Sequence, residues 1–126
     1  MARVLTPSEA TNLGLPGRKS LEMVSGATGS QAVTLRLVEI PVPIQGEAER
    51  APHSHDDFEE CIYVLSGEAC SEVDGRKHPL RAGDAILVSA GERHVTRNTG
   101  SVPLMLLCFF PVGRVTARNH PAVTGP

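Results

Sequence analysis

His53-Ser54-His55-Asp56-Asp57-Phe58-Glu59-Glu60-Cys61-Ile62-Tyr63-Val64-Leu65-Ser66-Gly67 is the segment from which the architecture can be worked out. Its two histidines stand at i and i+2. On a strand that spacing puts both imidazoles on one face, roughly 6–7 Å apart at the backbone, whereas a helix would send them to different sides. Two such rings can converge on one ion at nitrogen–metal distances of about 2.0–2.2 Å. Glu60 then heads an apolar run, Glu60–Ser66. With Glu60 inward, Ile62 and Val64 are inward too, and the carboxylate sits at the rim of an apolar interior.

The same punctuation continues on either side. Ten prolines and twelve glycines interrupt the 126 residues, and no long stretch keeps a helical apolar period. Short runs rich in branched residues alternate with turn signals, which predicts an all-β antiparallel sandwich or barrel. The strands expected are 32–40, 52–55, 60–66, 69–73, 77–80, 85–88, 94–98 and 103–110. Asp74-Gly75 is a strong hairpin turn, and 81–84 and 89–92 are further glycine-bearing turns. Pro41 and Pro43 make 41–46 a loop, since proline cannot serve a central ladder. Residues 30–111 thus read as one barrel domain. Residues 1–29 are an N-terminal arm that can add an edge strand or swap to a partner, and 112–126 are a polar, loosely held tail.

His94 follows the turn Gly91-Glu92-Arg93 and opens another strand, sharing a face with Thr96 and Asn98 by alternation. Three neutral imidazoles and a carboxylate suit one borderline divalent transition ion: Mn, Fe, Co, Ni or Zn. Four donors saturate a tetrahedral zinc, while a six-coordinate ion keeps two positions free for chemistry.

The order of these residues closely resembles the two signature motifs of the cupin superfamily, in its small single-domain, conserved-barrel form. His53-x-His55 is followed after four residues by Glu60 and after six more by Gly67. Later come Gly83, Ser89-Ala90-Gly91, His94 and Asn98 in the matching register. The resemblance implies the cupin double-stranded β-helix, an eight-stranded jelly-roll β-barrel. It also implies metal ligation by His53, His55, Glu60 and His94, turn roles for Gly67, Gly83 and Gly91, and a structural role for Asn98. Counting back from Gly67 selects Glu60 over its neighbour Glu59. Two positions depart from the pattern: Ser89 stands where proline is usual, and Gly46 lies one residue too far from His53.

Beyond the ligands, Thr34, Arg36 and Val38 share a strand face. If that face lines the barrel, Arg36 is placed to hold a substrate carboxylate; Arg93 and Arg97 invite the same reading. Asp56 and Asp57 read as a solvated turn, His78 and His120 as surface residues, and Tyr63 as a core or interface residue. The run Leu104–Phe110 has no polar alternation, so both its faces call for cover, one inside the barrel and one against the second sheet or a partner chain. That expectation favours a homodimer.

Composition narrows the function classes. With 40% apolar residues but only four aromatics, Val, Leu, Ile and Ala must fill the core. A net charge of −2 with scattered signs offers no basic stripe for nucleic acid. The longest apolar run is too short to span a bilayer. Residues 1–7 show no signal-peptide pattern, and Cys61, Cys70 and Cys108 read as free thiols, so a soluble, cytoplasmic protein is expected. The expected function is that of a small metal-dependent enzyme of isomerase, lyase/decarboxylase or dioxygenase type. Its substrate is expected to be a small polar carboxylate- or sugar-like molecule. The alternative is a non-catalytic metal- or ligand-binding or sensing module.

Overall fold

The computed structural model describes residues 1–121. It is a sandwich of two antiparallel sheets closed into a jelly-roll barrel. The first sheet runs in the order β1 (Thr11–Asn12), β2 (Lys19–Val24), β3 (Thr34–Ile40), β10 (Leu104–Phe110), β5 (Glu60–Ser66) and β8 (Ala85–Val88). The second runs β11 (Arg118–Asn119), β4 (His53–Ser54), β9 (His94–Asn98), β6 (Glu68–Val73) and β7 (Arg76–Arg81).

Period-two alternation decides which side chains enter. In β5, Glu60, Ile62 and Val64 are buried; in β10, Leu104, Leu106, Cys108 and Phe110. Glu60 apart, these residues form the core with Val38, Ile40, Ala69, Val73 and Val88, built mainly from branched aliphatics as the scarcity of aromatics requires. The chain passes from one sheet to the other at Gly67, at φ +93°. A Cβ there would lie 3.2 Å from Leu104 Cα and 3.3 Å from Pro103 O, so the glycine is dictated by both conformation and space. The β6–β7 hairpin turns on Asp74 and Gly75, at φ 48° and 81°. Both are left-handed, as a two-residue turn matching strand twist demands. Pro79 is tolerated because β7 is an edge strand.

The arm adds edge strands to the first sheet, the first of the two readings given for it: β2 pairs along β3, from Lys19↔Glu39 to Val24↔Leu35, and β1 pairs with β2 on the same chain. The tail is not loose as far as residue 120, because β11 pairs with β4 through Arg118↔Ser54 and Asn119↔His53. Residues 122–126 lie outside the description. Finally, the second sheet covers only the inner face of β10; on the outer face Phe109 remains 40% exposed.

Candidate metal centre

The cluster is assembled across the second sheet and one strand of the first. β4 and β9 pair through His53↔His94, which sets these two rings 4.4 Å apart, centroid to centroid. His55, just past the end of β4, lies 5.0 Å from His53 and 5.3 Å from His94. It stacks on Phe58 at 5.1 Å and meets the edge of Phe110 at 5.2 Å, which fixes its plane. Glu60 enters from β5, with Oε1 2.9 Å from His94 Nε2 and 3.2 Å from His55 Nε2. One donor atom from each of the four residues lies within 4.8 Å of the others. His55, Glu60 and His94 are buried and His53 is partly buried, while Glu59, Asp56, Asp57 and His78 are exposed.

Backbone carbonyls orient two of the rings. His55 Nδ1 donates to Thr116 O at 2.7 Å and His94 Nδ1 to Glu92 O at 2.9 Å, and a neutral ring so held turns its unprotonated Nε2 inward. Two nitrogen lone pairs then face one carboxylate oxygen, an arrangement that a proton or a cation must bridge. The donor set therefore fits a divalent ion. A proton on His94 is the other group that could bridge it to Glu60. Burial opposes charge on His94, but the Glu60 carboxylate outweighs it and raises the imidazole above its ordinary value. Burial likewise works against the Glu60 carboxylate, yet the contacts from His55 and His94 prevail and hold it at about 2. His53, with no such contact, is pushed by burial and then by His94 down to about 3, so it is neutral.

Thr116 belongs to the tail, and its part in the site had no sequence signal, because a carbonyl carries no residue identity. His120, read from sequence as a surface residue, is half-buried, with Nε2 2.7 Å from Ser54 Oγ. With Arg118 on Asp56 at 2.8 Å, it ties the tail across the ligand strand.

The cluster borders a cavity of about 60 Å³. Arg36 lines it, so its strand face is the one turned inward, with its guanidinium 3.1 Å from Glu22 and 5.2 Å from the Phe110 ring centre. Arg18 and Arg50 line it as well, and neither was singled out from sequence. Both lie in irregular segments, where no periodicity tells inside from outside. Arg50 donates to Thr96 O; burial, then Arg18 and Arg97, bring it down to about 10. Arg93 and Arg97 do not line this cavity: Arg93 is exposed, and Arg97 is paired with Glu72 at 3.2 Å and Glu49 at 3.6 Å.

The chain is similar to several known proteins. An uncharacterized protein of Methanocaldococcus jannaschii is 32% identical over 62% of this chain and 61% of its own length. An oxalate-binding protein of Thermotoga maritima is 36% identical over 46% of this chain and 48% of its own. The chain thus spans less than two thirds of these curated relatives. The solved structure of a predicted oxalate decarboxylase from the same bacterium superposes with a TM-score of 0.71 at 23% identity, over 87% of this chain and 99% of that one, a likeness of fold. Residues 42–110, more than half of the chain, match the cupin domain family, and to that family the chain belongs.

Proposed function

We propose that this cupin holds one divalent transition ion (Mn, Fe, Co, Ni or Zn) on His53, His55, Glu60 and His94 and transforms a small carboxylate-bearing molecule beside it. The observation that carries this reading is the convergence of the donor set on a cavity that three arginines also line. A bound ion there supplies Lewis acidity to substrate oxygens. The chain's own residues provide the rest. Guanidiniums at the cavity orient the carboxylate by paired hydrogen bonds. Val38, Ile40, Ile62, Leu106 and Phe110 keep the cavity poor in water, which strengthens every charge interaction inside it. The names of the oxalate-binding relative and the decarboxylase-like structure support a carboxylate. Isomerase, lyase/decarboxylase and dioxygenase chemistry would all use the same arrangement, because fold does not fix reaction.

The test is elemental analysis of protein purified without chelator, followed by turnover assays of the metal-loaded protein on oxalate, keto acids and sugar acids. Stoichiometric metal with product formation is expected. No metal, even after reconstitution, would leave a metal-free binding barrel. A second reading, binding or sensing without turnover, is favoured by one observation: apart from the ligands, the titratable groups lining the cavity are arginines and Cys108. Burial, then Glu60, push that thiol well above its ordinary value, so neither kind makes a ready proton carrier. Tight stoichiometric ligand binding without product would select it.

Acid should empty the centre. Metal uptake competes with protonation of His94, so affinity falls as pH falls through that raised value, by about tenfold per unit for one proton. Metal retained at pH 7.5 should be lost on dialysis below about pH 6; full occupancy at about pH 5 would contradict a mainly histidine site.

We further propose that the protein pairs through the outer face of the first sheet. Two apolar rows cross it, Leu35–Phe109–Cys61–Leu87 and Leu37–Leu107–Tyr63–Ala85. Leu87 is 60% exposed and Tyr63 39%, a patch of the kind that marks an interface. Sedimentation should give twice the 13.4 kDa chain mass, and Phe109→Asp should give the single mass. A monomeric wild type would remove the dimer. No helix among the described residues is long and apolar enough to cross a membrane. The free thiols of Cys61, Cys70 and Cys108 support a reducing, cytoplasmic location, which cell fractionation would check.

A further inference from the structure

We infer that Arg18, supplied by the N-terminal arm, reads a second anionic group, so that the pocket selects a short dicarboxylate over a monocarboxylate. This rests on the metal–carboxylate reading above and specifies its substrate class.

Arg18 immediately precedes β2 and reaches the cavity from outside the barrel segment that carries the metal motifs. Its partner within the chain is the carbonyl of Pro16, at 2.9 Å. Arg50 is in the same position, donating to the carbonyl of Thr96. Arg36 differs, because Glu22 neutralises it at 3.1 Å. Among the described residues no carboxylate lies within 4.0 Å of Arg18 or Arg50. Neighbouring guanidiniums act on both. Burial and then Arg36 lower the Arg18 value, while burial and then Arg18 lower that of Arg50.

Half-buried guanidiniums without a counter-charge are costly, and an anion from solution supplies what the chain does not. Glu22 and Glu60 are the two carboxylates set against three guanidiniums and a divalent ion. A single substrate carboxylate beside the ion leaves Arg18 and Arg50 uncompensated; a second one, a few atoms away, satisfies them through the planar fork that matches carboxylate geometry. The 60 Å³ cavity sets the length. A cavity that small holds a short dicarboxylate rather than a long one.

The experiment is calorimetric titration of malonate and of acetate into wild-type and Arg18→Gln protein, each metal-loaded and chelator-stripped, with metal content measured on the same samples. In the loaded wild type malonate should bind at least about tenfold tighter than acetate. In Arg18→Gln that ratio should collapse toward unity through loss of malonate affinity, with metal stoichiometry retained. An equal ratio in both proteins means that the ion chelates malonate without Arg18 and overturns the assignment; so does a wild type with no preference. Failure of the broader reading looks different. A wild type that takes up no metal, yet prefers malonate in an Arg18-dependent way, keeps the anion site and removes the metal from its chemistry.

Discussion

Replacing His55 with alanine should lower metal affinity by at least about a hundredfold while leaving a folded barrel. Loss of a group that merely orients a ligand costs about 10–100-fold, and His55 is proposed as a ligand itself. The geometry gives the substitution several consequences at once. Nε2 disappears from its place 3.2 Å from Glu60, and Thr116 O loses its 2.7 Å partner. Phe58 loses the ring stacked on it at 5.1 Å. The first removes a donor. The others loosen the tail and cost about 1–3 kcal/mol of stability, well inside what a domain of this size can lose. Elemental analysis and thermal unfolding, each with and without added metal, separate the effects. A variant that retains full metal content would remove His55 from the centre.

Asn98→Ala should do the opposite, keeping the metal and losing stability. Asn98 is buried at the end of β9, where Nδ2 donates to Ile40 O at 3.1 Å and Val102 O at 2.8 Å, and Oδ1 accepts from Gly100 N at 2.8 Å. One side chain thus links the end of β3 in the other sheet to the loop that leads into β10. Alanine deletes three hydrogen bonds and strands buried backbone groups, a loss of about 3 kcal/mol. Chemical denaturation would measure it, with metal per folded molecule unchanged. A change below about 1 kcal/mol would show that solvent or a small backbone shift replaces the staple, and the structural role would fall.

The motifs were legible because their chemistry needs particular side chains at particular spacings. Glu60, chosen over Glu59 by counting back from Gly67, is the buried member of the pair. His94, Thr96 and Asn98 share the inner face that alternation assigned them. Arg36 also reached the cavity, since a strand's period places every second residue. Arg18 and Arg50 escaped the same reasoning because irregular chain has no period. Thr116 escaped because its contribution is a backbone atom that any residue supplies.

The residue pattern by itself determined the class of fold, the strands of the barrel, its principal turns and the four residues that come together as a possible metal site. Those follow from local rules: side-chain alternation, turn conformations that only certain residues adopt, and donor chemistry. Tertiary structure alone decided that the arm and the tail belong to the site's surroundings. It also decided that two further guanidiniums line one small cavity with no carboxylate within 4.0 Å of either among the described residues, and that apolar side chains on the outer face of the first sheet stay partly exposed. Each depends on contacts between segments far apart in the chain, where closure of the barrel rather than neighbouring sequence sets the distance.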